Sequence, residues 1–112
     1  VRIELTDSLL ERIVLRYFND TQNALEKFKV INEEYRKEDR QRLLEICSNS
    51  EGVFYPSGAF KQLPGSKPTA YFGDHRSYYY KGKLVSRSVH KGLDLAKYRH
   101  APVVAANDGK VA

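Results

Sequence analysis

The chain has no methionine, a single cysteine and no apolar run that approaches the length of a membrane span. Cys47 has no partner for an internal disulfide, and no Cys-x-x-Cys or Cys/His cluster offers a metal site. It stands beside Leu43, Leu44 and Ile46 on the apolar side of a helical pattern, so it is expected to be buried and inert. With Val1 first and Gly109-Lys110-Val111-Ala112 reading as the opening of a strand, both ends read as cut. A missing leader therefore carries no information about location.

Positive charge is in excess but does not cluster. The net charge is +5, which suits an anionic partner such as nucleic acid, lipid headgroups or cell-wall polymer. However, Lys27, Lys29, Arg36, Lys37, Arg40 and Arg42 alternate with Glu26, Glu33, Glu34, Glu38, Asp39 and Glu45. This interleaving reads as a solvated helix face rather than a polyanion track. No RNP-like, zinc-finger or helix-turn-helix signature supports a nucleic-acid partner, and none is expected. At 112 residues, 41% hydrophobic and 29% charged, the chain has the composition of one modest globular domain.

The pattern changes near residue 50, which divides the chain into a helical region, 1–50, and a strand-and-turn region, 51–112. Ser8-Leu9-Leu10-Glu11 fits a capping box at a helix start. Apolar positions at Leu10, Val14, Tyr17, Ala24, Phe28, Ile31 and Tyr35 then form one stripe. Asn19-Asp20-Thr21 predict a break, because these residues cap helices better than they extend them. A last helical stretch runs to about Cys47, and Ser48-Asn49-Ser50-Glu51-Gly52 ends it. The stripe is a packing face, against a neighbouring helix, the β-region or another chain. Beyond Val53, Tyr78 to Val85 predict a hairpin turning at Lys81-Gly82, where glycine accepts the positive φ of a tight turn. Pro56, Pro64, Pro68 and Pro102 punctuate the strands. The fold class expected is α+β, with one or two helices followed by short antiparallel strands.

The chemistry lies in Val89-His90-Lys91-Gly92-Leu93-Asp94-Leu95-Ala96. In a strand, His90, Gly92 and Asp94 share one face while Leu93 and Leu95 hold the other in the core. Four extended residues span about 13 Å. Two ligands of one zinc must each bring an atom to about 2 Å from it. The backbone is therefore expected to bend, and Gly92 is the residue that permits it. His-x-x-x-Asp alone is a weak signal.

In order, His90-x-Gly92-x-Asp94, Ala101-Pro102-Val103-Val104-Ala105 and Gly109-Lys110-Val111 resemble the lysostaphin-type zinc peptidases, which carry His-x-Gly-x-Asp, a Pro-Val-x-Ala turn and strand, and Gly-x-Val. Phe72-Gly73-Asp74-His75-Arg76-Ser77-Tyr78 resembles the segment leading into that motif in envelope members. The resemblance covers about residues 53 to 112. The helices before it resemble those preceding the peptidase domain in cell-shape endopeptidases of Gram-negative bacteria.

The resemblance implies the first part of an antiparallel β-rich peptidase domain, with Zn2+ as cofactor and peptidoglycan peptides as substrate. His90 and Asp94 would be the first two metal ligands. The third would come from a later His-x-His motif, and further histidines would help activate water; these are expected beyond Ala112. The chain by itself is therefore expected to bind zinc weakly and to cleave nothing. The resemblance also implies a place in the cell envelope or periplasm, with the parent protein membrane-anchored or secreted. The helical region would serve assembly or regulation, in a homo-oligomer, with a paralogous peptidase, or with a C-terminal fragment of the same protein. The alternative is a noncatalytic family member that binds wall or a paralogous peptidase and regulates it.

Two further residues have substrate-binding and packing readings. Arg76 is placed to hold a carboxylate of a peptide stem, and Tyr78 to line the groove with Tyr80. The plainer alternative pairs Arg76 with Asp74 and packs alternate tyrosines on the sheet. His75 and His100 fall outside the motifs and are expected to be surface residues.

Overall fold

The computed structural model describes residues 1–111. Its elements run β1 (Arg2–Glu4), α1 (Asp7–Val14), α2 (Ala24–Lys29), a π-helical segment (Val30–Tyr35), α3 (Arg36–Ser48), β2 (Lys67–Ala70), β3 (His75–Tyr80), β4 (Lys83–Val89) and β5 (Asp94–Ala96). The class is α+β, as the change of period near residue 50 indicates. One element departs from the expected order. Residues 2–4 form a strand that pairs parallel to β3, so the three-stranded sheet is β1-β3-β4. Arg2-Ile3-Glu4 is too short a stretch for its alternation to stand out from the helical pattern that follows. β2 and β5 form a second, antiparallel pair.

The helix starts two residues before the predicted capping box. Thr6, in extended conformation, is the N-cap; its Oγ1 accepts from the Leu9 amide at 3.2 Å. Ser8 already lies inside α1. Thr6→Ala removes that acceptor and is expected to cost about 1 kcal/mol of stability, measured by urea denaturation. The break at residues 19–21 is present: the chain leaves α1 after Val14 and re-enters helix at Ala24, with Asn23 in the left-handed region at φ 51°. From Ala24 to Ser48 the helical segments are contiguous.

The apolar stripe packs on its neighbouring helix and on the sheet. Leu10, Val14, Phe28 and Ile31 are buried, and Leu5 and Tyr78 complete the buried apolar set. Phe28 meets Tyr78 edge to face, with ring centroids 5.2 Å apart, the geometry favoured by aromatic quadrupoles. Helices and sheet therefore share one core, and residue 50 marks a change of element type rather than a boundary between separately packed units. Tyr17 falls outside the core and packs its ring against Tyr35, at 6.0 Å.

Three expectations are corrected here. Cys47 is exposed, and so are Leu43, Leu44 and Ile46, because no other element among the described residues covers that length of α3. Leu93 is exposed, so it does not anchor the His90 segment in the core. Residues 101–111, expected to include a turn and strand, carry no strand; Val103 is 84% exposed, since no strand among the described residues lies beside it to pair with. Ala112 lies outside the described residues. Local ties still hold this stretch. The Lys61 amide donates to the Ala106 carbonyl at 2.8 Å, and Lys110 pairs with Glu51. The Lys110 ammonium first, and then the Tyr55 hydroxyl, hold the Glu51 carboxyl below its ordinary value. That tie is complete at neutral pH and weakens as pH falls through the lowered value.

Candidate functional site

Two sheets position the His90 segment. β3 and β4 form the hairpin read from the sequence, turning at Lys81-Gly82 with both residues at positive φ, 48° and 77°. Their pairing extends one step past the strand ends: the His90 amide donates to the Asp74 carbonyl at 2.9 Å, and the Gly73 amide to the His90 carbonyl at 2.9 Å. His90 is thereby fixed to the first sheet. Asp94 opens β5 and pairs with Ala70 of β2, so it belongs to the second. The chain crosses from one sheet to the other through a bend at Gly92. His90 and Asp94 are therefore not in one strand, as the alternation suggested. His90 stands one residue past the end of β4 and Asp94 opens β5, and the bend at Gly92 joins them.

The bend brings the side chains together. His90 Nε2 lies 3.3 Å from Asp94 Oδ1, against about 13 Å of contour for an extended path. The histidine side chain is only 14% exposed. Its Nε2 is fully covered and has no hydrogen-bond partner, because the contact with Asp94 has the distance but not the direction of a hydrogen bond. The other carboxylate oxygen, Oδ2, is 3.4 Å from the Arg76 guanidinium. Asp94 thus stands between a cation and an imidazole nitrogen that lacks a partner.

Arg76 does not pair with Asp74. The Asp74 carboxylate accepts from the Tyr71 amide at 2.8 Å and closes the turn before β3, whose Gly73 sits at φ 87°. Tyr78 is a core residue, 5% exposed, with its ring on Phe28 and its hydroxyl 3.2 Å from Ser88 Oγ. The ring is therefore covered and lines no open groove. His75 is exposed at the start of β3, and His100 is exposed at φ 61°; neither joins the pair in a group of three potential metal ligands.

One feature of the site was not foreseen from the sequence. A polar seam runs beside it, between helix and strand. Asn32 Nδ2 donates to Ser86 Oγ at 2.8 Å, and Arg36 donates to Ser88 Oγ at 3.3 Å. Ser86 in turn donates to Glu33 at 2.8 Å. Four helical residues rise about 6 Å. Two strand residues advance about 6.7 Å. Beyond the π-helical segment, the step from Arg36 to Arg40 on α3 keeps pace with that from Ser88 to His90, and Arg40 and His90 line the same groove. The signal was present in the sequence only as two separate periods; the register between them was not.

The residues present fit a cation to this extent: a covered imidazole nitrogen without a partner faces a carboxylate oxygen 3.3 Å away. They do not make a complete site, for no group of three His, Cys, Asp or Glu side chains converges among the described residues. Compared with known proteins, the chain matches no family model, no curated protein and no solved structure.

Proposed function

We propose that this chain is the front part of a lysostaphin-type zinc endopeptidase, acting on the peptides of bacterial peptidoglycan at the cell envelope. The observation that carries the reading is the meeting of His90 and Asp94 across the Gly92 bend, with Nε2 covered and free to coordinate. In this reading both are zinc ligands. Bound zinc would supply a water of lowered pKa and would polarise the scissile carbonyl. The chain's own contribution is positional. The two sheets hold imidazole and carboxylate together, and Arg76 fixes the second carboxylate oxygen so that the first faces the histidine. The contiguous helix carries no catalytic cluster and serves assembly or regulation.

The test is zinc titration followed by NMR of the histidine imidazoles. The expected result is a shift of His90 with His75 and His100 unmoved, at weak affinity, since two protein ligands leave most of the coordination to water. Shifts at His75 or His100 instead, or none at any histidine, would overturn the metal reading. The 112-residue chain alone is expected to release no muropeptides; zinc-dependent release would refute the two-ligand account.

A further inference from the structure

The seam of Asn32 and Arg36 opens, one helical turn further on, into a groove. It lies between α3 and the end of β4 and has a volume of about 470 Å3. Leu43 and Val89 are its apolar lining. Arg36, Lys37, Arg40 and Lys91 stand around it against a single acid, Asp39, and His90 forms part of its wall. Arg36 is engaged by Ser88. Among the described residues, Lys37, Arg40 and Lys91 have no carboxylate partner.

We infer that this groove binds a short peptide through its free carboxylates, beside the His90–Asp94 pair. The inference rests on the peptidase reading for the identity of the peptide as a wall stem, and on the groove itself for the carboxylates. Four cations gathered on one concave face repel one another, and an anion relieves that repulsion. The volume lies within the range of about 300–1,000 Å3 of small-ligand sites, enough for a few residues of peptide. Leu43 and Val89 offer contact to an aliphatic side chain. Asp39, set among the cations, opposes a continuous run of phosphates but accepts a ligand that also carries an amino group. A nucleic-acid strand needs a longer track of cations, and these residues do not continue as one.

The test uses the 112-residue chain without metal and three probes: a stem tripeptide of peptidoglycan with free carboxylates, the same tripeptide fully amidated, and a single-stranded DNA oligonucleotide. Binding is read by calorimetry and by amide shifts at Lys37, Arg40 and Lys91. The free tripeptide is expected to bind, and amidation to weaken it by about tenfold or more. The triple substitution Lys37→Gln, Arg40→Gln, Lys91→Gln is expected to do the same with an unchanged circular dichroism spectrum. Arg40→Lys, which keeps the charge, is expected to retain binding. Equal binding of the amidated peptide, or no loss in the triple variant, overturns the inference; so does displacement of the peptide by the oligonucleotide with a steep salt dependence. The two readings fail separately. Carboxylate-dependent peptide binding with no zinc shift at His90 upholds the groove and removes the peptidase. A zinc shift at His90 with no peptide binding removes the groove and leaves the metal site.

Discussion

Phe28→Ala is expected to destabilise the protein by about 3–5 kcal/mol, read as a fall in the urea midpoint at unchanged slope. Phe28 is 2% exposed and stands where the helices meet the sheet, packed with Leu5, Leu10 and Tyr78. The truncation removes the aromatic contact with Tyr78 and leaves a cavity whose walls belong to α1, β1 and β3. β1 and β3 are tied by backbone hydrogen bonds, and α1 follows β1 after a short connection, so the walls cannot simply close over it. A domain of this kind has about 5–15 kcal/mol of stability in all, so the loss is a large share of it. Leu43→Ala is the control. Leu43 is 61% exposed, and its removal is expected to change stability by less than about 0.5 kcal/mol. A loss under about 1 kcal/mol at Phe28 would mean that helices and sheet do not share a core.

The weight on Phe28 follows from how little else is buried. The accessible surface is 9102 Å2, where a compact monomer of this mass exposes about 6,300 Å2. The radius of gyration is 17.3 Å, against about 13 Å for a compact chain of this length. The excess lies in α3 and in the strand-poor segments 51–66 and 97–111, where Phe54 and Val103 are among the exposed apolar residues. Binary pattern identifies which residues are apolar and how they are spaced. It does not say whether another element lies opposite them. Leu43, Leu44, Ile46 and Cys47 have the pattern of a packing face, and among the described residues no element buries them. Leu10, Val14, Phe28 and Ile31 have the same pattern and are buried, because α1, the helix that starts at Ala24 and the β3–β4 hairpin lie against one another.

The site was legible to a similar depth. The hairpin at Lys81-Gly82 could be read because two residues at positive φ are a local demand that the sequence meets locally. The convergence of His90 and Asp94 could be read because ligand spacing in an extended strand fails on length alone, and Gly92 stood where the bend was needed. The partner of Arg76 could not. Asp74 is two residues away in sequence but is committed to the Tyr71 amide, whereas Asp94, far along the chain, is delivered by the pairing of β5 with β2. That Arg40 and His90 line the same groove depends likewise on the docking of helix on strand, which neither period specifies.

Asp94→Asn separates the two roles that its position suggests. The substitution keeps size and shape and removes one negative charge. As a structural partner Asp94 is worth little: its side chain is 54% exposed and its contact with Arg76 is 3.4 Å, so the pair contributes less than about 1 kcal/mol. As a metal ligand it is worth more. Two unit charges 4 Å apart attract by about 1 kcal/mol in water, a divalent ion doubles that, and partial burial increases it. Loss of the charge is therefore expected to weaken zinc by about tenfold or more, since about 1.4 kcal/mol suffices for that factor. Arg76 acts in the same direction, because the cation it presents to the site is no longer neutralised, and this adds to the loss of zinc. Competition with a chelating dye gives the affinity, and a thermal melt of the metal-free protein gives the stability. The expected outcome is a large fall in the first with little change in the second. Unchanged zinc affinity, with the fold intact, would mean that the carboxylate serves only to hold Arg76.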